Sequence, residues 1–157
     1  MLIPPRAPFE GWPIQHRDPH YGYAWYCGDG VVVSHITAAH GTAEAAHHYH
    51  DYEESVLRDH AGDVRRAGGL FVIHDWRAME TYDGEARRVW QARMRAREKG
   101  YLRGSVVCVA SAGPLLRMAV QAANLVASVV HGAEVKLSDD LVTTLTSHNI
   151  KTPGAGS

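Results

Sequence analysis

At 157 residues, with 45% apolar and 21% charged side chains, the chain can bury about two thirds of its unfolded surface in one core, which excludes wholesale disorder and any need for a metal to fold. A net charge of −1 with histidines neutral supplies no global field for nucleic acid. The two cysteines, Cys27 and Cys108, are far apart and form no C-x-x-C, which argues against a disulfide framework or cysteine zinc site and for a reduced, cytoplasmic protein.

Residues 1–19 include Pro4, Pro5, Pro8 and Pro13 and lack an uninterrupted apolar run, so they read as an irregular N-terminal arm and not as a signal peptide. The alternation in 21–26 predicts a strand with Tyr21, Tyr23 and Trp25 on one face. Gly28-Asp29-Gly30 turns the chain into a β-branched run over 31–37, predicting an antiparallel hairpin. Thr42 is the expected N-cap of a first helix reaching about His60. That helix is acidic (Glu44, Asp51, Glu53, Glu54, Asp59).

The stretch 69–100 is the clearest unit. Leu70, Phe71, Val72 and Ile73 form a short apolar run expected of a central strand buried on both faces, ended by His74 and Asp75. Thr81 is the expected N-cap of a second helix starting near Tyr82, with Ala86, Val89, Trp90 and Met94 inward and Arg87, Arg88, Gln91 and Arg95 largely outward. This helix is basic where the first is acidic; solvated faces are the simpler account of both. A further buried strand over 105–110 leads through Ser111, read as a helix cap, to a third helix lined by Leu115, Met118, Ala119, Ala122, Val126 and Val129. A short strand over 133–137 and a helix capped by Ser138 follow. No segment reads as a membrane span. The order ββαβαβαβα predicts one α/β domain over 20–148, a mixed sheet with right-handed crossovers, and a flexible tail over 149–157.

With this order, Asp75 after the central strand, Thr81-Tyr82-Asp83-Gly84 opening a helix, and Ser138-Asp139-Asp140-Leu141 after the last strand, the chain resembles the STAS domain family, in particular its divergent SpoIIAA-like branch, related in shape to CRAL-TRIO lipid-binding domains. The resemblance implies a non-enzymatic regulatory module, similar to anti-sigma-factor antagonists, that binds a protein partner through Thr81, Tyr82, Asp83, Gly84, Arg87 and Arg88. In signalling members a phosphorylatable serine precedes the glycine. Here Asp83 does, so the charge is permanent and the interaction constitutive.

Two other classes compete. The CRAL-TRIO likeness and the aromatic hairpin suggest a lipid or apolar small-molecule site at Tyr23, Trp25, Trp76 and Trp90, which would require a cavity. Among eleven histidines, His40, His47, His48, His50 and His60 gather around the first helix, and His47, His50, Asp51 and Glu54 have spacings compatible with a divalent metal. His47-His48-Tyr49 is not H-E-x-x-H, so a metal-dependent enzyme lacks its glutamate base, and exposed polar histidines are the simpler reading. His74-Asp75 reads as a loop-ordering pair, or as a site at the end of a central strand. No phosphate-binding glycine motif occurs and no cofactor is expected. A homodimer is compatible with these readings.

Overall fold

A computed structural model describes residues 2–111 and 113–154. Six strands form one twisted sheet: β1 (His16–Asp18), β2 (Gly22–Tyr26), β3 (Val31–Ile36), β5 (Leu70–Asp75), β7 (Leu102–Cys108) and β8 (Val135–Ser138). Two-residue strands β4 (His40–Gly41) and β6 (Thr81–Tyr82) pair separately in parallel. The helices are α1 (Ala43–Asp59), α2 (Ala61–Ala67), α3 (Gly84–Ala96), α4 (Pro114–Val126), continued by a π-helical turn (Ala127–His131), and α5 (Leu141–Ser147).

In the main sheet, β1-β2-β3 are antiparallel neighbours and β3-β5-β7-β8 are parallel. Strand order follows chain order, so every right-handed crossover puts its helices on the same side. Helices α1 to α4 accordingly share one core with Ala24, Val32, Val72 and Val107. The opposite face is covered by α5 through Leu141 and Leu145 and by the arm through Phe9 and Trp12.

The expected mixed α/β domain is found, with a mostly parallel sheet, but the order has additions: β1 lies inside the segment read as an arm, and α2 and the pair β4 and β6 were not expected. The proline-rich arm is part of the fold. Phe9 is fully buried and lies 5.1 Å from Trp25 and 5.0 Å from His35 between ring centroids. Trp25 Nε1 donates to Pro13 O, and the Tyr23 hydroxyl donates to Ile3 O. Fixed proline φ angles make an ordered irregular segment inexpensive in entropy. Ile150 in the expected tail packs on the same core, and Gly154 O accepts a hydrogen bond from the Gln15 side chain; residues 155–157 lie outside the described residues.

Tyr21 does not share the face of Tyr23 and Trp25. Gly22 has φ +128°, where a Cβ would sit 2.2 Å from the His35 carbonyl oxygen. This conformation breaks the alternation, and Tyr21 packs on His48 of α1 at 5.1 Å.

Three caps also differ from expectation. Thr42 caps α1 as expected, but Asp83, not Thr81, caps α3 by accepting the Glu85 N–H, and Asp140, not Ser138, caps α5. The residue before α4 is Gly113, so Ser111 is not its cap. In α4, Ala119, Val120 and Val126 face the core, whereas Met118 and, in the π turn, Val129 point to solvent. The apolar stripe is rotated from the expected one because both helix faces carry apolar residues; the Leu115 side chain lies outside the described residues.

Candidate functional site

The two residues that close β5 point in opposite directions, as strand alternation requires. Asp75 faces the arm. Its carboxylate accepts from His35 Nδ1 at 2.6 Å, from the Arg77 backbone N–H at 3.1 Å, and from Arg77 Nε and Nη2 at 2.8 and 2.9 Å. His35 Nε2 accepts the Arg6 N–H and Arg77 Nη2 donates to Ala7 O, which ties the arm to the strand end. Among the described residues no buried side-chain atom of His35, Asp75 or Arg77 lacks a partner.

His74 faces the helices, where the interior is incompletely filled. A cavity of about 40 Å³ lies between β5, β7 and β8 below and α1, α3 and α4 above. A water needs roughly 10–15 Å³ on this scale, so the space exceeds a single water site. Trp76, Trp90, Met94, Val107 and Val120 supply most of its apolar wall. A bulge at Arg103, between the Leu70–Leu102 and Phe71–Gly104 pairs, puts both Leu102 and Ser105 on this wall.

Helix α3 presents Arg87, Trp90, Gln91 and Met94 to the cavity, a spacing of three, four and seven. Helix α1 contributes His50 and Glu53. Trp76 sits at the carboxyl end of β5, stacked on Tyr82 at 5.4 Å and tilted against Trp90 at 5.8 Å. Trp90 also contacts the rings of His50 at 4.6 Å and His74 at 5.1 Å.

The polar groups here are unevenly satisfied. Arg97 Nη2 lies 3.2 Å from His50 Nδ1 and 2.7 Å from His50 O. A guanidinium only donates, so Nδ1 is the acceptor and the imidazole proton resides on Nε2. Among the described residues that Nε2–H has no hydrogen-bond partner, and neither has the Trp76 indole N–H. Both residues are at least nine-tenths buried. Burial, then the charges of Arg97 and Arg93, hold His50 well below the usual histidine range and therefore neutral. An unmet buried donor costs about 1–3 kcal/mol, so two on one cavity wall mark a place built for an acceptor.

Glu53 is buried, 3.6 Å from both Arg97 Nη1 and His50 Nδ1. Burial pushes its carboxyl up to about 7, against the lowering charges of Arg97 and Arg93. His74 Nδ1 is 2.7 Å from Ser34 Oγ, and burial brings its pKa down to about 4. At neutral pH the cavity therefore holds neutral imidazoles and a carboxyl poised between its two states.

The three expected residue sets separate. Trp76 and Trp90 line the cavity, but Tyr23 and Trp25 lie across the sheet, sealed under Phe9 and Trp12. The metal set is divided: His50 points inward, while His47, Asp51 and Glu54 are exposed and converge on the Arg93 guanidinium, which occupies the place of a cation. Among the described residues no group of three or more potential ligands is positioned for a metal. A helix turns about 100° per residue, so neighbouring histidines diverge. His48 meets His16 at 2.9 Å and His60 stacks on Tyr26. The acidic and basic helices meet each other through Arg93 and Arg97, and are not simply two solvated faces.

Of the expected partner surface, Thr81, Asp83, Gly84 and Arg88 are exposed, whereas Tyr82 and Arg87 line the cavity. Because Asp83 caps α3, Asp83→Lys should cost about 1 kcal/mol of stability in urea unfolding; a change near zero would show that the cap is replaced by water. Glu53 was the main residue missed as a site candidate. Its signal was a carboxylate inside the Ala46, Tyr49, Glu53, Val56 stripe of α1. Among the described residues no helix is long and apolar enough to cross a membrane. Comparison of the chain with protein-family models, curated proteins and solved structures returns no match.

Proposed function

We propose that this protein is a small-molecule-binding domain whose ligand enters the cavity between the parallel strands and α1, α3 and α4. The ligand is mostly apolar and carries at least one hydrogen-bond acceptor. The observation that carries this reading is the pair of unmet donors, His50 Nε2–H and Trp76 Nε1–H, on one aromatic-walled cavity. The CRAL-TRIO part of the resemblance agrees with such a role, whereas its STAS part implies a protein partner.

Native mass spectrometry of the purified chain, combined with nitrogen-resolved NMR of the indole N–H groups, tests it. Either retained organic mass or a downfield shift of the Trp76 resonance with small apolar carbonyl compounds is expected. Ala119→Leu, which fills the cavity, should abolish both at an overpacking cost of about 1–3 kcal/mol. No retained mass and an unmoved Trp76 resonance across the panel would refute the reading.

A second reading is a regulatory interaction through 81–88. It is favoured by the adjacency of exposed Thr81, Asp83 and Arg88 to Tyr82 and Arg87 on the cavity wall. A partner docking there would contact the same segment that closes over the ligand.

A further inference from the structure

Helix α3 and its C-cap carry five arginines; Arg95 is exposed, and the partners of the other four distinguish one of them. Arg88 pairs with Glu85, Arg93 with Asp51 and Glu54, and Arg97 lies against Glu53 and Glu54. Arg87 is half-buried and lines the cavity, yet its guanidinium makes no hydrogen bond or ion pair among the described residues. Tyr82, five residues before Arg87, lines the cavity as well and stacks on Trp76 at 5.4 Å, so Arg87 and the unmet Trp76 N–H belong to the same end of the cavity.

We propose that the ligand is an organic monocarboxylate, its carboxylate held by Arg87 and the Trp76 indole N–H and its apolar body lying along Trp90 and Met94. This deepens the cavity reading above and rests on it. Helix α3 opens with Asp83 at its N-cap and Glu85 in its first turn. The acidic side chains there are already engaged, Asp83 by the Glu85 N–H and Glu85 by Arg88, and neither lines the cavity.

The opposite end fixes the ligand's polarity. From Arg87 to Met94 the helix rises about 10 Å. The α1 side of the cavity carries Glu53 and His50, and Arg97 outside the lining already lies against both, so a second carboxylate there would meet a buried carboxyl and a neutral imidazole. One cation at the mouth suits a monoanion, and the apolar wall between suits a hydrocarbon body. A dicarboxylate or a phosphate dianion finds no second cation on this wall.

The experiment titrates the full chain with straight-chain carboxylates from butanoate to octanoate and with their primary amides. The readout is the Trp76 indole N–H resonance, assigned by its loss in Trp76→Phe. At the best-fitting length the carboxylate is expected to bind about tenfold more tightly than the amide. Arg87→Gln should erase that preference while keeping the amide affinity, and Arg87→Lys should restore part of it. Equal affinity of acid and amide in the wild type, or a preference that persists in Arg87→Gln, would overturn the head-group assignment and leave the cavity reading standing. No response to any acid or amide would overturn both.

Discussion

Asp75→Ala is expected to lower the unfolding free energy by about 3–5 kcal/mol, the usual range for removing one partner of a buried, hydrogen-bonded charge pair. Asp75 is 1% exposed and accepts four hydrogen bonds from His35 and Arg77. Its loss leaves the His35 Nδ1–H without an acceptor and the Arg77 guanidinium without its counter-charge. It also loosens the arm, because the same two side chains hold Arg6 and Ala7. Faster proteolysis within residues 2–15 should accompany the lower urea midpoint. Burial alone would raise the Asp75 carboxyl, but the hydrogen bonds from His35 and Arg77 prevail and hold it below its ordinary value. Stabilisation from a depressed carboxylate is present above the unfolded pKa, about 3.9, and is lost as pH falls through the folded one. The gap between wild type and variant should therefore be constant above about pH 5 and narrow below pH 4. A loss under about 1 kcal/mol at neutral pH would mean that water replaces the carboxylate, and would remove the network from the account of the fold.

His74 should make the second large contribution, and only in one pH window. Its folded pKa of about 4 lies below the ordinary 6.5, so between these values the unfolded chain binds the proton more readily. The stabilisation is present in full above pH 6.5 and is lost as pH falls through about 4, an effect on the order of 3 kcal/mol. His50, shifted in the same direction, reinforces it. Glu53 acts oppositely: its raised pKa of about 7 makes its contribution decline as pH rises from 4.5 towards 7. The whole-protein profile therefore mixes both signs, and the difference between wild type and His74→Asn isolates one of them. That difference should grow with pH from 4 to 7 in urea unfolding. A flat difference would mean that water reaches the His74 ring or that it charges inside the fold.

The strands were legible in the sequence because their signals are local. Leu70 to Ile73 could not be exposed on either face, and Gly28-Asp29-Gly30 allowed little except a hairpin. Trp76 and Trp90 could be singled out only together with Tyr23 and Trp25, which lie across the sheet. Long-range pairing was not legible. Nothing local to residues 2–15 says that Phe9 will rest on Trp25, because that contact depends on which sheet face the crossover helices leave open. The histidine cluster misled for a related reason: nearness in sequence around a helix is not nearness in space, and Arg93, 39 to 46 residues away, took the place assigned to a metal. Arg97 and Glu53 show the same dependence. Arg97 looks like an ordinary surface charge, and only the apolar stripe around Glu53 points to its burial, until α1 and α3 are brought together.

The uninterrupted strand order has a consequence for how the chain can be assembled as it is made. Taken from β1 to β8, each new strand of the main sheet finds its neighbour already present at a free edge, and none has to be threaded between two strands that have paired. Growth of the sheet can thus keep pace with synthesis. The arm is held in two stages: Tyr23, Trp25 and His35 follow it closely in the chain, but Arg77, which donates to Ala7 O, arrives 70 residues later. Leu141 and Leu145 of α5, which complete the cover of that sheet face, come later still, and the interval before them is the one in which a nascent chain has most need of a chaperone.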